Sequence, residues 1–166
     1  GIELLLSKNN ITVFKGFGKI SGQSKVTVIP ENDTSFDIYS SNIILCTGAR
    51  SKKNPLASNE VNIIGYREVL SLKELPKSLT IFGSGAIGVE MAYFYASLGT
   101  KVNIVEILPR IIPNEDEAAS DLLNKSLKKL KVKIFTSSSI EKIRNDGTKN
   151  IITVNDGNSL TEIESE

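Results

Sequence analysis

The sequence predicts an α/β fold in which a parallel sheet alternates with helices, joined to an antiparallel meander. Three observations predict it. Short apolar runs alternate with longer helical patterns in βαβαβ order in the middle of the chain, and a GxGxxG segment joins the first run to its helix. Further along, alternating polar and apolar residues surround two Asp-Gly turns, which is typical of antiparallel strands.

Residues 1–50 are predicted to form a segment of their own. The patterns indicate, in order, a helix end at 2–8, a short strand at 12–14 closed by 15–18, alternating strands at 25–29 and 36–39, and a continuous apolar strand at 42–46. A continuous apolar run favours a strand buried on both faces, so Cys46 is interpreted as a small buried hydrophobe. The polar stretch around Pro55 that follows is predicted to be a linker.

Residues 51–166 are predicted to form the second segment. The elements expected there are a short helix at 69–75, a strand at 78–82, a helix at 86–98, a strand at 101–105, a helix from about 115 to 130, a strand at 132–136, and the meander. The first of these helices is predicted to stop at Pro76. Helical spacing assigns the inner face of the 86–98 helix to Ile87, Met91, Phe94, Tyr95 and Leu98, with Gly99 as its C-cap.

Composition excludes several classes of function. The chain of 166 residues has a net charge of +1, one cysteine and no histidine. Ser-His and Cys-His nucleophile arrangements and most zinc sites are therefore excluded, and we expect no catalytic residue and no metal site. The small net charge and the lack of a long apolar run predict no nucleic-acid and no membrane partner, and the lysines at 125–133 are interpreted as a solvated helix end. We therefore expect any chemistry to be brought by a cofactor or by missing protein.

The glycine-rich segment Gly83–Gly88 has the context of a Rossmann-type dinucleotide site. A predicted strand ends just before Gly83, a helix opens inside the motif, and the next strand ends in Glu106, 23 positions after Gly83. Gly83 permits a tight turn, Gly85 lets a pyrophosphate approach the backbone, and Gly88 lets the helix pack on the strand. The helix N-terminus offers free N–H groups and a partial positive charge to the phosphates. The sequence therefore predicts a small-molecule nucleotide, NAD, as the ligand.

Three charged residues bear on which nucleotide is bound. Glu106 is placed to accept hydrogen bonds from the adenosine ribose, and its carboxylate would repel the 2′-phosphate of NADP(H). Arg110 has two interpretations, a ligand for a 2′-phosphate or a solvated loop arginine. Glu90 also has two, a residue near the nicotinamide or an acid of the first helical turn that compensates the helix dipole.

These residues, together with the stretches 70–130, 16–20 and 43–49, resemble the flavin-dependent pyridine nucleotide–disulfide oxidoreductases and, within them, the dihydrolipoamide dehydrogenase branch. The 43–49 stretch is similar to the family's "ATG" strand, with Cys46 where alanine is usual. GxGxxG followed by Glu106 separates this branch from glutathione reductases, which use GxGxxA and arginines. Ala86 stands where those enzymes carry a gating tyrosine.

The resemblance implies a role for each matching residue. The NAD pyrophosphate and nicotinamide side would be lined by Gly83, Ser84, Gly85, Ala86, Ile87, Gly88, Val89 and Glu90. Glu106 would hold the adenosine ribose and Ile140 would pack on the adenine, while Gly18, Thr47 and Gly48 would lie along FAD. The parent reaction implied is oxidation of dihydrolipoamide by NAD⁺ through a redox disulfide and FAD, by a homodimer that serves 2-oxo acid dehydrogenase complexes. The implied compartment is the cytoplasm, with a mitochondrial or plastid-type organelle as the alternative.

The departures from the family pattern concern what the chain can do alone. The family's N-terminal flavin GxGxxG, its CxxxxC and its C-terminal His-Glu pair are not in these 166 residues. We therefore expect a central fragment: residues 1–50 as part of an FAD-binding domain, and residues 51–166 as an NAD-binding domain truncated before its last strand. Such a fragment would bind NAD without catalysis. The alternatives are a fragment of an NADH oxidase, CoA-disulfide reductase or mercuric reductase, or a non-catalytic nucleotide-binding module.

Overall fold

A computed structural model describes residues 1–51 and 63–166 of the chain. The chain forms two compact units, Gly1–Arg50 and Ser51–Glu166. The stretch around Pro55, predicted to be a linker, lies outside the described residues. In the described ranges, no helix is both long enough and apolar enough to cross a membrane.

The first unit combines one helix with an antiparallel three-stranded sheet. Its elements are α1 (Ile2–Lys8), β1 (Phe17–Gly22), β2 (Lys25–Ile29) and β3 (Phe36–Tyr39), with sheet order β1-β2-β3. The predictions of α1, β2 and β3 are confirmed. The strand predicted at 12–14 is wrong, because that stretch has no regular structure and β1 begins only at Phe17. Gly18 was expected in a closing turn, but it pairs with Val28 inside the ladder.

The apolar run at 42–46 is not a strand in this structure, which corrects the prediction of a doubly buried one. Its residues have no regular structure, with Ile44 87% and Leu45 66% exposed. Cys46 is exposed as well, so its interpretation as a buried hydrophobe is also wrong here. A strand of this kind needs hydrogen-bonded neighbours and layers packed on both faces, and none of the described strands pairs with this run.

The second unit contains a parallel sheet, an antiparallel sheet and three described helices. Its elements are α2 (Tyr66–Val69), β4 (Ser78–Phe82), α3 (Ala86–Ser97), β5 (Lys101–Val105), α4 (Glu117–Lys129), β6 (Lys133–Phe135), β7 (Ser139–Asn145), β8 (Asn150–Asn155) and β9 (Leu160–Ser165). The parallel sheet has the order β4-β5-β6 and the antiparallel sheet the order β7-β8-β9. The predicted βαβαβ rhythm and the meander are confirmed.

Two helices of this unit differ from the prediction. The short helix is shifted toward the N-terminus, because Gly65 caps it and the Glu68 carboxylate accepts from the Gly65 N–H at 3.0 Å. The inner face of α3 consists of Val89, Ala92 and Tyr95, not of the predicted residues Ile87, Phe94 and Leu98, which are about half exposed. Only Tyr95 of the predicted face is fully buried, and Met91 is partly buried. The α3 sequence is apolar almost all round, so spacing alone does not identify its buried face.

The core of the second unit lies on both sides of β5. One cluster joins α3, α4 and the parallel sheet through residues such as Ala92, Ile104 and Leu127, each 0% exposed. The other packs Val105 against the antiparallel sheet, where Ile152 is 2% exposed. Burial of large aliphatic side chains contributes about 1.5–3 kcal/mol each. The end of β5, where Glu106 follows, is therefore held from two directions.

The hairpin turn between β7 and β8 gives a prediction about ionisation. The Asp146 carboxylate accepts from the Thr148 N–H at 2.9 Å, the Thr148 hydroxyl at 2.8 Å and the Lys149 N–H at 3.0 Å. These bonds, led by the Thr148 N–H, lower the pKa of Asp146 from 3.8 to about 2. Its stabilising contribution is therefore complete above pH 3.8 and is lost as pH falls through about 2. Thr148→Val is expected to raise the pKa of Asp146, measured by carboxyl NMR titration, with Asp156 of the second turn as the unchanged control.

Candidate dinucleotide site

The glycine-rich loop connects β4 to α3 in a single tight turn. Gly83 adopts φ +92°, a conformation that disfavours any residue with a Cβ. Its N–H donates to the carbonyl of Val105 at 2.9 Å, which ties the loop to the end of β5. Gly85 is the N-cap of α3 and has an extended backbone, with φ −65° and ψ −179°. The turn therefore brings the chain from strand to helix within three residues.

Gly85 and Gly88 differ in how much free space lies beside their backbone. A Cβ built on Gly85 meets no atom of the described residues within 4 Å, so the space that they leave beside this backbone is open. A Cβ on Gly88 would overlap the carbonyl oxygen of Gly83 and lie 3.5 Å from the Ile81 side chain. Gly88 therefore allows the helix to touch the turn, while Gly85 leaves room for a group to approach the backbone.

The N-terminus of α3 is suited to an anion. Within the part of the chain that the structure describes, no side chain caps it, and its first turn contains no acidic residue. The N–H groups of a first helical turn lack intrahelical partners and carry a partial positive charge. With the open side of Gly85 beside them, they fit a phosphate or pyrophosphate group.

Glu106 lies directly behind this loop. Phe82 pairs with Val105 in the parallel sheet, so the residues after each strand end meet. Oxygen Oε2 of Glu106 accepts from the backbone N–H of Ser84 at 2.7 Å and from its hydroxyl at 2.6 Å. Oε1 accepts from the Leu108 N–H at 2.9 Å, and Glu106 is only 5% exposed. The carboxylate is thus fixed by the loop on one side and by the following turn on the other.

These hydrogen bonds keep Glu106 ionised. Burial raises the pKa of this carboxyl, but the bonds from the Ser84 hydroxyl and from the N–H groups of Leu108, Ser84 and Ile107 lower it more. The net result is a pKa below the ordinary value of 4.5. The site therefore presents a negative charge at neutral pH at the end of β5.

The family model for pyridine nucleotide-disulphide oxidoreductases matches residues 1–164. The chain belongs to this family.

Curated relatives agree with this membership. A dihydrolipoyl dehydrogenase of Mycobacterium leprae is 33% identical over 171 residues, covering 100% of this chain and 36% of that protein. One of Chlorobaculum parvum is 39% identical over 135 residues, covering 81% of this chain and 29% of that protein. The chain therefore spans about a third of the length of the curated relatives it matches.

Two solved structures have the same fold. LpdA of Mycobacterium tuberculosis matches with a TM-score of 0.82 at 23% identity, over 99% of this chain and 37% of that one. The HOCl-induced flavoprotein disulfide reductase RclA of Escherichia coli matches with a TM-score of 0.72 at 26% identity, over 97% and 38%. Both matches extend over the two units of this chain.

The structure distributes the other sequence-predicted residues over different places. Ala86 and Ile87 are exposed at the start of α3, whereas Val89 is buried in the core. Glu90 is the fifth residue of α3, so its placement in the first helical turn is wrong, and a dipole-compensating role is correspondingly weak. Ile140 lies on β7, partly buried against the second core cluster.

The three residues predicted along a flavin lie in the first unit. Gly18 is an exposed residue of β1. Thr47 and Gly48 lie in the irregular stretch after the sheet, where Gly48 has φ +77°. All three positions are exposed.

A cavity that the sequence did not indicate lies beside the loop. Its volume is about 620 Å³, and it is lined by the loop glycines, by α2 around Tyr66 and by Ile152 of β8. Ser84 and Glu106 do not line it. Its lining comes from segments far apart in the sequence, so no local pattern could have indicated it. The Glu106 carboxylate therefore lies outside this cavity.

Arg110 is engaged within the loop that follows Glu106. Its Nη2 donates to the carbonyls of Pro113 at 3.2 Å and Glu115 at 3.1 Å, and Nη1 lies 3.8 Å from a carboxylate oxygen of Glu117. Of its two interpretations, the structure therefore favours a loop-stabilising arginine over a 2′-phosphate ligand.

Arg110→Lys is expected to lower the free energy of unfolding by about 1 kcal/mol, because one ammonium nitrogen on a shorter side chain cannot contact both carbonyls and the Glu117 carboxylate as Nη2 and Nη1 do together. The ratio of NADH to NADPH affinity should not change. Thermal unfolding and calorimetric titration measure the two quantities. A shift of the ratio toward NADH in the lysine variant would contradict this assignment, since it would mean that the guanidinium binds the 2′-phosphate.

Proposed function

We propose that this chain is the NAD(H)-binding section of a dihydrolipoamide dehydrogenase, with residues 51–166 as the NAD-binding domain and residues 1–50 as part of the FAD-binding domain. One observation carries the nucleotide assignment. The Gly83–Gly88 loop leads into the open, uncapped N-terminus of α3, and the ionised carboxylate of Glu106, at the end of β5, is joined to the same loop by the 2.7 Å bond from the Ser84 N–H. A dinucleotide needs both elements, one for its pyrophosphate and one for its adenosine ribose.

The preference for NAD(H) over NADP(H) follows from charge. The carboxylate of Glu106 is ionised at neutral pH and lies at the end of β5, where the adenosine ribose would bind. A 2′-phosphate would bring a like charge against it. Arg110, the nearby cation on the next loop, already binds two carbonyls and is not available to offset that repulsion.

The role of this chain in the reaction is to bind and orient the nucleotide. Bound NAD⁺ supplies a hydride acceptor. In the proposal, the N–H groups of α3 hold the pyrophosphate, Glu106 holds the adenosine ribose, Ile140 packs on the adenine, and Glu90 lies near the nicotinamide. The first-unit residues Gly18, Thr47 and Gly48 would touch FAD in the whole enzyme, but the described residues around them do not fit a flavin by themselves.

The whole enzyme proposed here oxidises dihydrolipoamide to lipoamide with NAD⁺ through a redox disulfide and FAD. The dihydrolipoyl dehydrogenases of Mycobacterium leprae and Chlorobaculum parvum support this choice. By the same analogy, we propose a homodimer that serves 2-oxo acid dehydrogenase complexes in the cytoplasm, with an organelle as the alternative compartment.

A second candidate is another FAD- and NAD-linked disulfide reductase. The match to RclA, a flavoprotein disulfide reductase, favours it specifically. An assay of the intact protein for NAD⁺ reduction by dihydrolipoamide separates the two. Turnover supports the dehydrogenase, whereas an NADH-bleached flavin without dihydrolipoamide turnover supports the second candidate.

Calorimetric titration of the intact protein with NADH and, separately, with NADPH tests the nucleotide assignment. We expect NADH to bind at least about tenfold more tightly, because the 2′-phosphate would face the Glu106 carboxylate across a short distance in a water-poor site. Equal binding of the two nucleotides, or tighter binding of NADPH, would overturn the assignment of Glu106. Absence of binding for both would overturn the proposal of a nucleotide site.

A further inference from the structure

Ser84, the second residue of the glycine-rich loop, has a side-chain contact that the loop's phosphate-binding function does not require. Its hydroxyl donates to Oε2 of Glu106 at 2.6 Å, in addition to the bond from its N–H to the same oxygen at 2.7 Å. Ser84 is 0% exposed. The loop needs glycines at its first, third and sixth positions, but the second position requires no hydroxyl.

The number of acceptor positions on Glu106 is limited. A carboxylate has about four of them, and Ser84 and Leu108 fill three. An adenosine ribose presents two neighbouring hydroxyls, at its 2′ and 3′ carbons. At most one of them can donate to Glu106 while the present bonds remain.

Among the donors that the described residues direct at Glu106, the Ser84 hydroxyl alone can be released by a bond rotation. The N–H groups of Ser84 and Leu108 are fixed by the turn after β4 and by the turn after β5. If the hydroxyl rotates away, it gives up a bond to a charged acceptor inside a buried site, and such bonds are the strong ones. Acceptance of the second ribose hydroxyl therefore carries a cost that a chain without this side-chain donor would not have.

We infer that the Ser84 hydroxyl competes with the adenosine ribose for Oε2 of Glu106, and that Ser84 thereby sets the affinity of this loop for NAD(H). This inference rests on the proposed function, because it requires the ribose to bind at Glu106. It assigns Ser84 the role of an affinity-setting residue that acts through Glu106.

The test is a calorimetric titration of the intact wild type, Ser84→Ala and Ser120→Ala with NADH. Ser84→Ala removes the competing hydroxyl and keeps the N–H, so we expect NADH to bind about fivefold more tightly, the equivalent of one additional hydrogen bond. Ser120 is the matched control, since it is 2% exposed and its hydroxyl donates to the Ile111 carbonyl at 2.7 Å, away from Glu106. Its variant should bind NADH like the wild type.

A second ligand gives a readout that a structural role would not change. The NADH analogue that lacks the 2′-hydroxyl of the adenosine ribose should bind the wild type nearly as well as NADH does, because the wild type accepts only one hydroxyl. For Ser84→Ala, loss of that hydroxyl should cost about fivefold. Ser84→Gly, which also lacks the hydroxyl, should behave like the alanine variant and replaces it if alanine impairs folding.

The possible failures are distinguishable. If the wild type binds NADH in preference to NADPH, but the alanine and glycine variants bind it equally or more weakly, the competition by Ser84 is wrong and the proposed function stands. If the wild type binds neither nucleotide, both are overturned. An equal penalty for the missing 2′-hydroxyl in the wild type and in Ser84→Ala also overturns the competition.

Discussion

Gly88→Ala is expected to lower the free energy of unfolding by about 2–3 kcal/mol and to weaken NADH binding about 100-fold or more. The new methyl group would overlap the carbonyl oxygen of Gly83 and lie 3.2 Å from the carbonyl carbon, both of which are backbone atoms. Helix α3 must then move away from the turn, and overpacking of this kind costs about 1–3 kcal/mol. The moved N–H groups lose hydrogen bonds to the pyrophosphate, each about 1.5–3 kcal/mol because the acceptor is charged.

Gly85→Ala is the matched control for the loss of stability, since it adds the same methyl group three residues away. Its Cβ meets no atom within 4 Å, and the extended backbone there accepts any residue. We expect the free energy of unfolding to stay within about 0.5 kcal/mol of the wild type, while NADH binding weakens because the methyl group occupies the approach of the pyrophosphate. Chemical denaturation and calorimetry separate the two effects. Wild-type NADH affinity in Gly85→Ala would show that no phosphate approaches this backbone.

Elements with strong local signals could be predicted from the sequence. Helix α4 is an example, because Asp116 is its N-cap and accepts from the Ala118 N–H at 2.8 Å, and Lys128 and Lys129 lie in its last turn. The two hairpin turns are another, since Asp-Gly specifies the turn without help from distant residues. In both cases the determinants lie within a few residues of the element that they define.

The features that could not be predicted depend on distant partners. The run at 42–46 has the composition of a buried strand, but burial is decided by neighbouring strands and not by the run itself. The contact of Ser84 with Glu106 spans 22 positions and depends on the register that pairs Phe82 with Val105. The glycine spacing indicated the loop, and the end of the next strand indicated the acidic residue. The hydroxyl of Ser84, inside the loop, belongs to no sequence pattern that would indicate its contact.

Glu106→Gln is expected to weaken NADH binding by about tenfold or more and to reduce or reverse the preference for NADH over NADPH. The amide has one acceptor oxygen in place of two and no charge, so it accepts fewer bonds from the ribose and no longer repels a 2′-phosphate. Glu141→Gln removes the same charge from an exposed residue of β7 and is the control. Calorimetric titration with both nucleotides measures the ratio. An unchanged ratio in Glu106→Gln would show that another group excludes NADPH.

The same substitution should also change the dependence of stability on pH. In the glutamine variant, an amide N–H group faces donors such as the Ser84 or Leu108 N–H, and unsatisfied buried donors cost about 1–3 kcal/mol each. The pKa of Glu106 is lower in the folded chain than its ordinary 4.5. The extra free energy of unfolding that the ionised carboxylate gives the wild type over the variant is therefore complete above pH 4.5 and is lost as pH falls through the folded-state pKa. Unfolding curves of the wild type and the variant should therefore differ most near neutral pH and converge in acid. Curves that stay equally far apart at every pH would mean that the carboxylate is not ionised in this network, and the charge argument against NADPH would fail with it.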